Sequence, residues 1–463
     1  MEVAKQQRAS QGSLWSLPPD AAEPDPNYRA ALAWVWSFSA RQRSADEIAT
    51  QRGLKLERMH ALLAGLEHPE LRFPSLLVAG TKGKGSTVAM LSACLRAAGY
   101  RTGRYTSPHL VNWRERTCID DQPVSTADVV EMAIPIREAV ERLPSLLGTP
   151  TTFEVGTAFA FLHFARRSVD VAVVEVGTGG RFDATNLVDP RVSVITPISY
   201  DHTQTLGQTL SAIAWHKAGI MRAGRPVVSA PQLDEARLVI EAEARHLGAP
   251  LDEVGRDWRW SPDGVTIRVE SVHPGVAPLN VEVGLLGDHQ RDNATTSVAA
   301  LHALAPWFPV SAAAVHTGLK AVEWPGRLQV LSRRPLVVVD GAHNAASADV
   351  LRRALDSNFA FDRLILVVGL SEGKDALGVL GSLAARAHRV HLTRSSHERS
   401  AAPAALETLV RSAAPRSEVA RYASVSAALE AAVAAARPSD MVLVTGSLFV
   451  VGEALVWWRR SPR

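Results

Sequence analysis

A glycine-rich segment, Gly80-Thr81-Lys82-Gly83-Lys84-Gly85-Ser86, constrains this chain more than any other stretch. The short apolar run Ser75 to Ala79 precedes it. Val88, Leu91, Leu95 and Ala98 follow it at helical spacing, until Gly99 stops the pattern. A strand that passes through glycines into a helix aims several backbone N–H groups at one point, with the positive end of the helix dipole behind them. The segment therefore reads as a phosphate loop. Gly83, Lys84, Gly85 and Ser86 are its candidate nucleotide contacts, and Lys84 is placed to reach the β and γ phosphates. It departs from the strict Walker A pattern, which wants glycine where Val78 stands and Ser or Thr where Gly85 stands.

Further along, Val169 to Val176 and Val192 to Pro197 are continuous apolar runs, the pattern of strands buried on both faces of a parallel sheet. Helical stretches such as Gly156 to Arg166 and Leu210 to Arg222 alternate with them, which implies a mainly parallel α/β fold. Trp258 to Glu270 reads as a small hairpin turning at Asp263-Gly264. After Trp324-Pro325-Gly326-Arg327 a second, smaller α/β unit begins. Its strands are expected at Leu336 to Asp340, Leu364 to Gly369, Arg389 to Thr393 and Met441 to Thr445, with alanine-rich helices such as Ser426 to Ala436 between them. The expected organisation is a flexible polar tail over 1–27, a first domain over 28–322 and a second over 323–463. In the first domain, Ala30, Leu32, Val35 and Trp36 suggest an opening amphipathic helix.

The chain has 463 residues, 46% of them apolar, enough to build two or three cores. Its 50 basic and 47 acidic side chains leave a formal charge of +3, too small an excess to argue for nucleic acid as a partner. The two cysteines, Cys94 and Cys118, can build neither a disulfide framework nor a cysteine zinc cluster, and they read as packed thiols of a reduced, cytoplasmic protein. No apolar run approaches the roughly 20 residues of a membrane span, so no membrane association is expected.

Several polar residues fall at the C-terminal ends of the expected strands, where α/β sheets open onto their ligands. Glu175 ends one strand and leads into Gly177-Thr178-Gly179-Gly180. Asp201-His202 follows another, and Ser107 lies in Tyr105-Thr106-Ser107-Pro108-His109. Ser107, Glu175 and His202 are candidate Mg²⁺ contacts beside a nucleotide, although Mg²⁺ prefers oxygen to imidazole.

These segments together resemble the folylpolyglutamate synthase and dihydrofolate synthase group of the Mur-ligase-like ATP-dependent ligases. The likeness runs from about Tyr28 to the end. It rests on the phosphate loop, Thr106-Ser107-Pro108-His109-Leu110, Thr152-Phe153-Glu154 and Glu175 through Asn186. It continues in Asp201-His202-Thr203, Lys217-Ala218-Gly219-Ile220, Gly287 through Ala294, Pro325-Gly326-Arg327 and Asp340-Gly341-Ala342-His343-Asn344. The resemblance implies a P-loop Mur-ligase-like central domain and a smaller Rossmann-like C-terminal domain. It implies that ATP phosphorylates a substrate carboxylate and that the amine of L-glutamate attacks the acyl phosphate, the acceptor being a reduced folate or dihydropteroate. Mg²⁺ is the implied metal and a monomer is expected.

Residue by residue, the resemblance assigns Lys84, His202 and Lys217 to catalysis. It gives Asn293, Arg327, Asp340 and His343 to the nucleotide, Ser107, Glu175, His202 and Lys217 to the metal, and Thr152, Phe153, Glu154, Phe182, Asp183 and Ala184 to the acceptor. The family's lysine matching Lys217 is carbamylated. Burial would favour that here, because desolvation lowers a lysine's pKa and frees its amine to react with CO₂. Two positions depart from the pattern: Lys82 stands where asparagine is usual, and His216 where glutamate often precedes the Lys-Ala-Gly-Ile stretch. A peptidoglycan-precursor amino-acid ligase of the same architecture is the alternative. Asp183-Ala184-Thr185-Asn186 and Asp340-Gly341-Ala342-His343-Asn344 favour the folate branch over it.

Overall fold

Every residue of the strand Ser75–Ala79 (β1) is buried, and β1 has parallel neighbours on both sides. In the computed structural model, which describes residues 20–39 and 55–461, this strand lies in an eight-stranded sheet. The other strands are Thr102–Tyr105 (β2), Thr117–Ile119 (β3), Gln122–Pro123 (β4), Val171–Glu175 (β5), Pro190–Ile195 (β6), Val227–Ser229 (β7) and Leu251–Glu253 (β8). Their order is β4-β3-β2-β5-β1-β6-β7-β8. The pairings from β2 to β8 are parallel, and β3 and β4 add an antiparallel edge. The small sheet that follows contains Trp258–Asp263 (β9), Thr266–Ser271 (β10) and Leu279–Val281 (β11), in the order β11-β10-β9. Its first turn uses Gly264 at φ +61°, a left-handed conformation that glycine adopts without strain.

The chain divides into two compact units. The second comprises 324–463 together with the short segments 110–112 and 285–289. It carries Gln329–Arg333 (β12), Leu336–Val339 (β13), Leu364–Val368 (β14), Ala387–Leu392 (β15), Glu418–Arg421 (β16) and Met441–Thr445 (β17). The order is β12-β13-β17-β14-β15-β16, parallel except for β12. Leu366, Val368, Val390 and Leu443 lie at the centre of its core. The mainly parallel two-unit α/β architecture is the one expected. Strands β12 and β16 carry no continuous apolar run, because they are half-exposed or exposed along their length. The helix expected over Leu210 to Arg222 ends at Ala218, where Gly219 caps it and the chain turns toward β7.

The tail assignment needs correction over 20–27, while 1–19 lies outside the described residues. Asp20–Ala22 forms a short 3-10 turn, and Asp25 caps a helix over Pro26–Ser37. The Asp20 carboxylate accepts hydrogen bonds from the Tyr28 hydroxyl at 2.8 Å and the Trp113 backbone N–H at 2.9 Å. Glu23 pairs with Arg114 at 3.0 Å. These polar residues look like a tail in composition but are consumed in tertiary contacts. The helix buries Tyr28, Ala31, Leu32 and Val35, while Trp36 stays 37% exposed.

Cys94 and Cys118 are both free and buried. Among the described residues no helix is long and apolar enough to cross a membrane.

Glu154 lies in the helix Thr152–Arg166 and is 3% exposed. Its carboxylate receives Nε and Nη2 of Arg58, from the helix Lys55–Ala64, at 3.0 and 3.1 Å, and closes a capping box with Thr151. Breaking such a pair from one side strands a buried charge and costs about 3–5 kcal/mol. Glu154→Ala should lower the free energy of urea unfolding by about that amount. An unchanged midpoint would show that the pair is not structural.

Candidate active site

The C-terminal ends of β1, β5 and β6 lie side by side, because these strands pair in parallel register: Val78 opposite Glu175 and Ala79 opposite Ile195. The phosphate loop leaves β1 at this edge. Thr81 and Lys82 donate their backbone N–H groups to the Pro197 carbonyl at 3.0 and 3.2 Å, which anchors the loop to the end of β6. Gly80 and Gly83 have φ of +148° and +86°. A Cβ on Gly83 would come within 2.5 Å of Asn293 Oδ1, so the side chain's absence is what lets the loop close on Asn293. The helix Lys84–Ala97 then begins, with its free N–H groups at the loop.

Ser86 is 4% exposed and accepts from Gln290 Nε2 at 3.3 Å. The Gln290 amide oxygen in turn accepts from Asn293 Nδ2 at 2.9 Å. This relay links the loop to the helix Asp288–Leu304. Gln290 sits inside the Gly287 to Ala294 motif, yet nothing in the sequence distinguished it from its neighbours. Thr196, against which a Gly80 side chain would collide, was missed for the same reason.

Two lysine amines meet at the loop. Lys84 Nζ donates to the Gly80 carbonyl at 3.2 Å and lies 4.0 Å from Glu175 Oε1. Lys217 Nζ donates to the same carbonyl at 2.6 Å and is 4% exposed. Burial, reinforced by the nearby charge of Lys84, lowers the Lys217 pKa from 10.5 to about 7, while Asp201 and Asp183 oppose the shift. Glu175, 5% exposed, accepts the Ser107 backbone N–H at 3.1 Å, so carboxylate and serine are brought together. His202 adopts φ +50° before a four-residue helix. Its side chain is 53% exposed, and its Nε2 lies 4.0 Å from Asp201. Among the described residues no group of three or more His, Cys, Asp or Glu side chains is arranged to hold a metal.

The candidate acceptor residues divide. The carboxylate of Glu154 is bound by Arg58 and by its own helix cap, which gives it a structural role beside the expected one at the acceptor. Asp183 is 6% exposed; its oxygens accept from Thr178 N, Thr185 N and the Thr185 hydroxyl, so it holds the glycine loop in shape. Burial raises its pKa, and those hydrogen bonds work against the rise. Ala184 is buried. Phe182 is 46% exposed and Thr152 and Phe153 are half-buried, so these three can meet a ligand. The Phe153 ring lies 6.2 Å from Tyr105 and is close enough to Gly177 to exclude a Cβ there.

In the second unit, Asp340, His343 and Arg327 lie around the loop that follows β13. Asp340 accepts from Leu328 N and Ala342 N at 2.8 and 2.9 Å. His343 Nδ1 bonds the Gly341 carbonyl at 2.9 Å, and Arg327 lies close enough to Gly341 to crowd a side chain there. Asn344 caps the next helix in a capping box with Ser347.

The Mur ligase middle domain matches residues 78–301, and the Mur ligase glutamate ligase domain matches 326–448. The dihydrofolate synthase/folylpolyglutamate synthase of Bacillus subtilis is 33% identical over 416 residues, which cover 86% of this chain and 93% of that protein. The chain belongs to the folylpolyglutamate synthase/dihydrofolate synthase family. Among solved members of this family, E. coli FolC in complex with DHPP and ADP is 31% identical. It has a TM-score of 0.82 and covers 96% of this chain and 100% of that one. Mycobacterium tuberculosis folylpolyglutamate synthase with ADP and AMPPCP is also 31% identical, with a TM-score of 0.84 over 94% of this chain and 100% of that one. Membership in this family disfavours the peptidoglycan-precursor alternative.

The Lys217 environment gives a signed pH effect. Between about 7 and 10.5 the unfolded chain holds a proton that the folded Lys217 lacks, so stability rises with pH across that window. Below it both states are protonated and the penalty is complete. In CO₂-free buffer, the stability of the wild type relative to Lys217→Met should therefore climb from pH 7 to pH 10. A flat difference would place the Lys217 amine in a solvated setting.

Proposed function

We propose that this ATP-dependent ligase joins L-glutamate to the carboxylate of a reduced folate, and that dihydropteroate is a second acceptor. The observation that carries the reading is the convergence of Lys84, Glu175 and the phosphate loop at one edge of the parallel sheet. Lys84 stabilises negative charge on the transferring phosphoryl group, the main work of such a site. An acceptor carboxylate oxygen attacks the γ-phosphorus of ATP, and the bond from that phosphorus to ADP breaks. The glutamate amine then attacks the acyl carbon, and phosphate leaves with the former carboxylate oxygen as the amine loses a proton. Phe153 and Phe182 offer aromatic surface to a planar acceptor.

Mg²⁺ fits this donor set. It takes few protein ligands beside phosphate oxygens, and Ser107 and Glu175 present a hydroxyl and a carboxylate already in contact through the serine's backbone N–H. Bound there, it would neutralise charge on the phosphates. His202 is an additional candidate ligand. Lys217 is proposed to carry a carbamate: its neutral amine forms an N–C bond with CO₂ and releases a proton, and the resulting carboxylate suits Mg²⁺ better than an ammonium does. Asn293, Arg327, Asp340 and His343 are proposed nucleotide contacts. A monomer in the cytoplasm is the proposed setting.

Purified protein, ATP, glutamate and either tetrahydrofolate or dihydropteroate should yield a product heavier by one glutamyl residue with at least one acceptor. Lys84→Ala should reduce kcat by about 100-fold or more, the scale for losing one preorganised charge contact, with unchanged thermal stability. If neither acceptor gains mass, the reading fails; a folded Lys84→Ala enzyme of near-normal kcat would remove Lys84 from its role.

A further inference from the structure

Three arginines cluster near the antiparallel edge of the first sheet, and one differs from the others. Arg104 pairs with Asp121 at 3.1 Å, and Arg114 pairs with Glu23 at 3.0 Å. Arg116 has no ion pair among the described residues, although it is only 9% exposed. Its Nε donates to His109 Nδ1 at 2.9 Å, and its guanidinium carbon lies 5.9 Å from the centroid of the Trp36 ring. No hydrogen bond joins Nη1 or Nη2 to another described residue, and neither is among the side-chain nitrogens sealed from solvent without a partner, so both can be reached by a ligand. Asp20 and Glu115 act on its charge from beyond ion-pair distance, so an anion at its terminal nitrogens would be its first direct partner.

The surroundings say which anion. The Arg116 carbonyl accepts the Thr106 N–H at 2.9 Å, which fixes the arginine beside Ser107, whose own N–H is bound by Glu175. Trp36 stands on the helix Pro26–Ser37. Just past the end of that helix, the Ser39 hydroxyl meets the Thr152 hydroxyl at 2.5 Å. The unfilled guanidinium is thus tied on one side to the candidate phosphoryl-transfer edge and on the other to a candidate acceptor contact. Because His109 holds Nε, the two terminal nitrogens remain for a carboxylate.

We infer that Arg116, beneath Trp36, binds the carboxylate of the acceptor that is not ligated. This rests on the folate reading proposed above. A folate monoglutamate carries two carboxylates, one that reacts and one that does not, whereas a pteroate carries only the reacting one. Arg116 therefore favours acceptors that already bear a glutamyl residue over those that do not.

Isothermal titration of tetrahydrofolate and of tetrahydropteroate, the same ring system without the glutamyl residue, tests this without turnover. The wild type should bind tetrahydrofolate about 10-fold tighter or more, the scale of a charge-assisted hydrogen bond. Arg116→Gln should abolish that preference while leaving the Kd for tetrahydropteroate and for ATP unchanged. Arg116→Lys, which keeps the charge and loses the fork, should retain part of it. Equal wild-type affinity for the two compounds overturns the inference even if the glutamine variant does not fold. So does a glutamine variant that keeps the preference, or one that loses affinity for both compounds and for ATP alike. If the wild type ligates glutamate but shows no preference, only this inference falls. If it binds neither compound and ligates nothing, the folate reading falls and takes the inference with it.

Discussion

The carbonyl of Gly80 receives two lysine amines, and that single acceptor organises the site. It lies just beyond a strand held by parallel neighbours on both sides, so its position is set by the backbone ladder rather than by side chains. The same register puts Glu175 one strand away and the Pro197 carbonyl on the other side, where it takes two loop amides. With no Cβ at Gly80 and Gly83, the loop can lie against Thr196 and Asn293. Phosphate binding by backbone amides needs this closeness, and larger residues would prevent it.

Placing two amines on one carbonyl has an electrostatic consequence. Two ammonium groups so close repel each other, and burial of Lys217 adds to that repulsion in lowering its pKa to about 7. Relief comes from Lys217 giving up its proton, while Lys84 keeps Glu175 as a partner. Lys217 is thereby the amine that burial readies to lose its proton. The shift follows from burial of an otherwise ordinary side chain, the same logic by which active sites tune acids and bases.

Much of this was readable because strands buried on both faces leave uninterrupted apolar runs. β1 and β17 were bounded to the residue, and β5, β6 and β14 within one or two residues. The phosphate loop, Ser107, Glu175 and Lys217 were legible because each follows a strand or lies in a recognisable motif. Pairings between distant polar residues were not. Nothing at Arg58 announces that its partner is Glu154, 96 residues away. Asp20 and Glu23 read as tail because their value lies in Tyr28, Trp113 and Arg114. Arg116 gave no signal either, since an arginine whose Nε goes to a histidine looks like any other until its neighbours are in place.

The central chemical claim is that ATP activates the acceptor carboxylate itself. Supplying tetrahydrofolate with ¹⁸O in its reacting carboxylate, together with ATP and glutamate, follows the oxygen directly. If the carboxylate attacks phosphorus and its oxygen leaves with phosphate, the inorganic phosphate released should carry one ¹⁸O per labelled bond formed. Phosphate free of ¹⁸O, alongside normal amide formation, would contradict an acyl phosphate and, with it, phosphoryl transfer at the loop.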